Sequence, residues 1–432
     1  MKKQLQTFWA VIGLLMPMLS SLAATQDIKP DIVVAADGSG DFTNVQAAVA
    51  SIPTANRERQ IILVKDGVYR EKVRVDAPFI TLRGESRKGT RIEFPQLYDD
   101  FQGNPDDIGR AVINLSDTAA DFVLENMTVE NTAGQVGPHA FTIYGRADKT
   151  VIVDCDVLSH GADTVSLWRG DSGRYYHARC NFRGSVDFVC PRGWCYIVDS
   201  TFYEMKPGSA AVWHDGSKNK DMKFVMRNCK FDGTNDWVLA RHHHDAQFYF
   251  LDCEFSSTMR DRAPLRVRYP LSSSEATEAD IKRNADLDKS NVWGERAYFH
   301  NARRDGGNYP WMADNLSTAE GSPVAQQITA AWTFGGKWNP ERKTGPVIRD
   351  VRVNGMRVDV RFSEPVTVKG SPWLSLRPGG AAPYISGSGT DTLVFTASTE
   401  SLPDVASVNV STGAIIATEA AATLLPASLT LP

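Results

Sequence analysis

The chain has 432 residues, which is too long for one ordinary domain, so two or three structural units are expected. Hydrophobic residues make up 42% of the chain and charged residues 23%, values that exclude both a disordered chain and a protein with many membrane spans. The net charge of −4, without any block rich in Lys and Arg, gives no indication of a nucleic-acid partner.

The first residues have the order of a cleaved secretion signal. A basic start at Lys2 and Lys3 precedes an apolar run that reaches Leu19. A membrane anchor is the alternative, but it needs roughly 20 apolar residues, and Pro17 interrupts the run before that length. We therefore expect residues 1–24 to be a signal peptide and the mature chain, without a membrane span, to be secreted or periplasmic.

Short strands and one helix are predicted next. Residues 44–51 carry apolar side chains at helical spacing, and a helix there would cap the open end of a stack of strands. Alternating apolar residues predict strands at 61–64, 72–75 and 79–82, between turns that contain glycine.

From residue 122 onward, a strand-like pattern recurs every 20 to 29 residues. One place in each repeat holds a residue of similar kind: Met127, Cys155, Cys180, Ser200, Cys229 and Cys253. Stacking such strands in parallel gives a solenoid.

The cysteines permit two interpretations. The four in the repeated place are expected to be buried thiols in the core, although six cysteines in an exported protein also suggest disulfides. Cys190 and Cys195 could close a short loop, and the sequence leaves this open.

Two aspartates occupy nearly the same position in consecutive coils. Asp163 lies eight residues after Cys155, and Asp187 lies seven residues after Cys180. Adjacent strands are about 4.8 Å apart, so the two carboxyls are expected to be neighbours, with one pKa raised and the other lowered. Alone, each Asp would be read as a turn residue. Together they suit ester hydrolysis, one as an acid and the other as a nucleophile.

Histidines and aromatic residues flank this pair in the sequence. His160 and the run 242–244 lie nearby, but a zinc site is not favoured because adjacent strand residues point to opposite faces. No metal or cofactor is expected. Tyr144, Trp168 and Trp194 are candidate sugar-stacking platforms, although an aromatic residue in a solenoid lies in the core at least as often.

The last part of the chain changes character. Residues 293–343 show no separate chemistry and are expected to fold back along the flank of the solenoid. Residues 346–432 have short alternating strands with Gly, Pro and Ser turns, which predict a small β-sandwich. The stretch 384–390 resembles a bacterial immunoglobulin-like repeat, so an accessory domain is expected here.

Five segments, in order, resemble motifs of the pectin methylesterase (pectinesterase) family: 37–42, 67–71, 162–165, 184–189 and 239–241. The resemblance implies an all-β chain with a right-handed parallel β-helix over residues 25–345. It also implies a carboxylic ester hydrolase that needs no metal and removes methyl groups from galacturonate esters. Its partner would be pectin or homogalacturonan of plant cell walls, and we expect a monomer.

The resemblance also implies roles for three residues. Asp187 resembles the nucleophile that attacks the methyl-ester carbonyl and forms an acyl-enzyme anhydride. Asp163 resembles the acid that protonates departing methanol and then the base that activates water. Arg241 resembles the arginine that pairs with the nucleophile and holds it ionised.

The sequence departs from the family at three positions. A family glutamine that donates hydrogen bonds to the anionic intermediate is replaced by Ala162. A second family glutamine aligns with His139, which can still donate, and a family tryptophan aligns with His243. Loss of one such donor typically lowers the rate by about 10²- to 10³-fold. Ala162 therefore keeps a non-catalytic carbohydrate-binding β-helix open as an alternative, beside a pectic polysaccharide lyase or hydrolase.

Overall fold

The computed structural model describes residues 30–215, 219–271, 274–341, 348–377 and 381–397, and three further strands up to residue 430. The predicted signal peptide, residues 1–24, lies outside the described residues. No described helix is long and apolar enough to cross a membrane.

Most of the described chain winds into a right-handed parallel β-helix with three sheets, and each complete coil contributes one strand to each sheet in turn. The first sheet consists of Ile32–Val34, Gln60–Val64, Ile80–Gly84, Val123–Glu125, Thr150–Val153, Arg174–Ala178, Trp194–Val198, Phe224–Arg227, Phe248–Leu251 and Ala297–His300. The second consists of Gly67–Tyr69, Thr90–Phe94, Thr128–Asn131, Asp156–Leu158, Asn181–Gly184, Thr201–Glu204, Lys230–Gly233, Glu254–Phe255 and Arg303–Arg304. The third consists of Val73–Val75, Ile113–Leu115, Ile143–Gly145, Val165–Leu167, Val189–Pro191, Ala210–Trp213, Val238–His242 and Leu265–Arg266.

Each of six consecutive coils turns from the first sheet to the second through a residue with positive φ, between 51° and 56°. Asn and Asp adopt this conformation more readily than most residues, and they hold five of the six positions: Asn126, Asp154, Asp199, Asn228 and Asp252. The residue that follows each turn is buried, which confirms the repeated column from Met127 to Cys253.

All six cysteines are buried free thiols, as predicted for the four in the column. The short disulfide loop that the sequence left open does not form. Cys190 belongs to a strand of the third sheet and Cys195 to the next strand of the first sheet, so the chain turns a corner between them.

The predicted N-terminal helix is confirmed as Val45–Ala50. The side chain of Asn44 caps it by accepting from the Ala47 amide at 2.8 Å. Val45 and Val49 are buried against the first coils, so the helix covers the end of the core. The other α-helices are Tyr98–Gly103, Glu278–Ser290 and Ala330–Thr333, and the 3₁₀ helices are Gly170–Ser172, Pro310–Met312, Leu316–Thr318 and Ala325–Gln327.

The segment after the last coil folds back along the flank, as predicted. Ile328, Phe334 and Trp338 are buried against Tyr196 and Tyr249, which point outward from the first sheet. This second apolar cluster removes the outer face of that sheet from water.

The C-terminal strands are antiparallel. They are Ile348–Asn354, Arg357–Gly370, Trp373–Arg377, Ala381–Ser386, Thr390–Thr396, Asp404–Asn409, Gly413–Ala417 and Ser428–Thr430. Val358, Val360, Leu393 and Phe395 form part of a separate small core. Antiparallel strands in this region are therefore confirmed, whereas the immunoglobulin-like sandwich stays a prediction.

Candidate active site

The two predicted aspartates lie at the same corner of consecutive coils, where the chain passes from the second sheet to the third. Val165 pairs with Val189, so Asp163 and Asp187, each two residues earlier, occupy equivalent places. The amide of Asp163 donates to the carbonyl of Val186 at 3.3 Å. The prediction from repeat position that these two residues are neighbours is confirmed.

The corner is tightly wound. Asp163 and Asp187 have φ values of 59° and 57°, and Val186, a β-branched residue, has 46°. Such values are costly for valine, so the surrounding coils must hold this backbone in place. A Cβ on Gly161 would come within 2.3 Å of the Pro138 carbonyl oxygen, so the close stacking of coils here requires glycine.

Arg241 holds the carboxylate of Asp187 through a two-pronged contact. Its Nε lies 2.8 and 2.9 Å from the two carboxylate oxygens, and one Nη donates to Oδ2 at 2.6 Å. Arg241 stands on a third-sheet strand two coils further on. A bidentate guanidinium fixes both the charge and the orientation of a carboxylate, which is the pairing predicted for these residues.

A different set of groups contacts the carboxyl of Asp163. Ser166 Oγ donates to its Oδ2 at 3.1 Å, and Trp168 Nε1 donates to the same Ser166 Oγ at 2.7 Å. Cys190 Sγ lies 3.1 Å from Ser166 Oγ and also hydrogen-bonds Asp163. Sequence reasoning missed Ser166 and Cys190. They pair with each other in the register, three residues after Asp163 and Asp187, so the same repeat position would have found them.

Burial dominates the electrostatics of the pair. It raises the pKa of Asp187 to about 6, although the charge of Arg241 opposes this rise. Burial also raises the pKa of Asp163, opposed chiefly by His139. The prediction that one of the two pKa values falls is wrong, because both carboxyls are buried and desolvation outweighs the arginine. Near neutral pH, Asp187 is mostly ionised beside a carboxyl that holds its proton more tightly than an ordinary Asp.

His139 lies on the coil before Asp163, where it pairs with Ala162. Its Nε2 is 3.9 Å from Asp163 Oδ1, and its side chain is 55% exposed. His139 therefore lies next to Ala162, the position of the missing glutamine, and its ring lies near the carboxyl of Asp163.

His243 is held by its neighbours. Tyr269 Oη lies 2.9 Å from its Nε2, and Trp213 meets the ring edge-on at 4.9 Å. Burial lowers the pKa of His243 to about 4, so the ring is neutral at ordinary pH. The three consecutive histidines contact different partners, since His242 reaches Glu295 and His244 reaches Ser290. Among the described residues, no group of three or more His, Cys, Asp or Glu could hold a metal ion.

The predicted aromatic platforms separate into two places. Tyr144 lies on a third-sheet strand and pairs with Ser166 of the next one. Trp168 follows directly after that next strand, and the ring centres of Tyr144 and Trp168 are 5.7 Å apart. One face of Trp168 is covered by the guanidinium of Arg192, at 3.5 Å. Trp194 instead lines a separate cavity of about 940 Å³ together with Trp332, away from the carboxyl pair.

The sequence profile of the family described as Pectinesterase matches residues 31–259. The chain belongs to the pectinesterase family. Pectinesterase 2 of Arabidopsis thaliana is 31% identical over 224 residues, which cover 50% of this chain and 36% of that protein. The pectinesterase of Daucus carota is 31% identical over 219 residues, covering 48% of this chain and 65% of that protein. The matched part of the chain thus spans less than two thirds of the length of these pectinesterases.

Solved structures show the same fold. The pectin methylesterase of Erwinia chrysanthemi superposes with a TM-score of 0.56 at 18% identity, covering 72% of this chain and 99% of that one. The pectin methylesterase of Yersinia enterocolitica gives a TM-score of 0.53 at 17% identity, covering 70% and 100%. The pectinesterase β-helix is therefore present here.

Proposed function

We propose that this protein removes methyl groups from methyl-esterified galacturonate polymers, the pectin of plant cell walls, and releases methanol. The observation that carries the proposal is the Asp187 carboxylate clamped by Arg241 beside the buried Asp163, whose pKa is raised by burial. Membership of the pectinesterase family supports the substrate class. A pectin methylesterase with the same fold binds a hexasaccharide, which is consistent with a polymeric substrate.

The two carboxyls divide the reaction between them. The ionised oxygen of Asp187 attacks the ester carbonyl carbon, and the tetrahedral intermediate collapses to an acyl-enzyme anhydride as the methoxy group leaves. Asp163 gives its proton to that group, so methanol departs uncharged. Asp163, now ionised, takes a proton from water, whose oxygen attacks the acyl carbon. The bond to Asp187 breaks, and both carboxyls return to their starting state with a free galacturonate as product.

The anionic intermediate needs hydrogen-bond donors, and Ala162 supplies no side-chain donor. We assign this role in part to His139, whose backbone pairs with that of Ala162 and whose half-exposed imidazole lies 3.9 Å from Asp163 Oδ1. Tyr144, Trp168 and His243 line the third-sheet face around the pair and are proposed to contact the sugar chain.

Methanol release from methylated polygalacturonate, compared between the wild type and Asp187→Ala, tests the proposal. We expect the variant to lose at least about 10³-fold in rate, as removal of a nucleophile usually does. Asp154→Asn is the control, since the charge of Asp154 pairs with Arg179 at a distant corner and asparagine keeps the positive φ of that turn. Methanol release that does not depend on Asp187 would refute the assignment.

A non-catalytic carbohydrate-binding β-helix is the second candidate, favoured by Ala162 at the donor position. It predicts that the wild type binds methylated polygalacturonate without releasing methanol. Binding by titration calorimetry, measured beside the methanol assay, separates the two functions.

We further propose the division of the chain into a signal peptide at 1–24, a catalytic domain at 25–345 and an immunoglobulin-like accessory domain at 346–432. Export to the periplasm or the medium and a monomeric state belong to this proposal. The mass of the mature protein in those fractions tests cleavage, and light scattering after gel filtration tests the monomer. An uncleaved N-terminus or a stable dimer would refute the respective part.

A further inference from the structure

Arg192 has an unusual environment beside the carboxyl pair. Its guanidinium carbon lies 3.5 Å from the ring centre of Trp168 and 4.4 Å from that of Trp213. Two indole rings therefore hold the guanidinium, and 27% of the side chain stays exposed. Stacking of this kind fixes an arginine without using its N–H donors.

The donors of Arg192 are left unused. Its Nε is buried without a hydrogen-bond partner, and its ion-pair partner Asp215 is 3.9 Å away, beyond hydrogen-bond distance. Among the described residues, the Arg192 guanidinium donates no hydrogen bond, whereas that of Arg241 donates three to Asp187. The buried Nε without an acceptor is costly, and the exposed part of the guanidinium can donate to a ligand that supplies acceptors.

Arg192 also faces the proposed reaction centre. Leu167 pairs with Pro191. Arg192 therefore lies on the coil that carries Asp187, beside Trp168 of the preceding coil. Its positive charge is one of those that oppose the rise in the pKa of Asp163. The guanidinium of Arg192 is therefore close enough to Asp163 for its charge to act on that carboxyl.

We propose that Arg192 forms a carboxylate-binding subsite that takes the free carboxylate of an unesterified galacturonate ring, next to the ring whose ester is cleaved. This inference rests on the proposed esterase function for its choice of ligand. The planar fork of an arginine matches the two oxygens of a carboxylate. The two indoles hold that fork in advance, so little side-chain entropy is lost on binding. The face of Trp168 that Arg192 covers then positions the guanidinium and does not stack on a sugar ring.

Kinetics on two substrates test the subsite. Arg192→Gln keeps the polar side chain but removes the charge and the fork, and Arg192→Lys keeps the charge alone. We expect Arg192→Gln to lower kcat/KM about 10- to 100-fold on partially esterified polygalacturonate, and to lower it by a clearly smaller factor on fully esterified polymer, where only the charge of Arg192 near Asp163 is lost. Arg192→Lys is expected to recover part of the loss. Arg179→Gln, which alters an exposed arginine paired with Asp154, is the matched control.

Each other outcome is decisive. An equal loss on both polymers would place Arg192 at the anionic intermediate and overturn the carboxylate subsite, and no loss on either would overturn it as well. If the wild type releases no methanol, the esterase proposal fails, but calorimetric binding of unesterified oligogalacturonate still tests Arg192. We expect Arg192→Gln to weaken that binding by the same 10- to 100-fold, and equal affinities would refute the subsite.

Discussion

Replacement of Arg241 is the perturbation that probes the site most sharply. All hydrogen bonds that the described residues make to the Asp187 carboxylate come from Arg241, with three contacts between 2.6 and 2.9 Å. Burial already raises the pKa of Asp187 to about 6 against the influence of this guanidinium. In Arg241→Gln the opposing charge is gone, so the pKa of Asp187 must rise further.

The size of the rise in the pKa of Asp187 follows from its direct contact with Arg241. An adjacent arginine lowers the pKa of a carboxyl by about one to three units, so the acidic limb of kcat/KM is expected to move upward by that amount, from about pH 6. At pH 7 the ionised fraction of Asp187 would then fall from about nine tenths to between about a half and about a hundredth, which lowers the rate between about twofold and about 90-fold before any loss of orientation. The sign is fixed, since the nucleophile is the deprotonated form.

The assay is methanol release from methylated polygalacturonate across pH 4.5 to 9.5, at constant ionic strength. Arg241→Lys, which keeps a charge, is expected to shift the limb less than Arg241→Gln, and Arg179→Gln is expected to leave it in place. An acidic limb at the same pH in Arg241→Gln and the wild type would refute the assignment of Asp187 as the titrating nucleophile.

Three further predictions concern other parts of the molecule. Burial raises the pKa of Glu204 from 4.5 to about 8, so the native state holds this proton while the unfolded chain releases it, and stability falls as pH rises from 4.5 to 8, by at most about 1.4 kcal/mol per pH unit. Glu204→Gln is expected to flatten that slope in urea unfolding at several pH values, and an unchanged slope would refute the protonated Glu204. Ala162→Gln restores a donor, so methanol turnover is expected to rise, up to about 10²-fold, unless another group already fills the place, in which case it stays constant. Trp338→Ala removes a buried side chain by which the folded-back segment packs on the first sheet, so urea unfolding is expected to show a loss of about 3–5 kcal/mol, and a loss below about 1 kcal/mol would contradict tight packing there.

Repeat position carried most of what the sequence could predict. A parallel β-helix places the same point of every coil in one column, so the buried column from Met127 to Cys253 and the neighbouring Asp163 and Asp187 followed from residue counting alone. The same counting would have reached Ser166 and Cys190, three residues further on.

The sequence could not predict how deeply the carboxyls are buried or where the chain turns a corner between sheets. The pKa of Asp187 depends on how much water its neighbours exclude, and charge alone gave the wrong direction for one member of the pair. The spacing of Cys190 and Cys195 suggested a loop, but a sheet corner between them separates the thiols. Arg192 gave no signal, since its environment combines Trp168 from one coil with Trp213 from another.

The central claim is that Asp187 is the nucleophile of an ester hydrolase, and Asp187→Asn tests it most directly. Asparagine keeps the size of the side chain and an oxygen for Arg241, but it removes the attacking charge. The rate of methanol release from methylated polygalacturonate is predicted to fall by at least about 10³-fold relative to the wild type. Equal rates in the two proteins would contradict the claim.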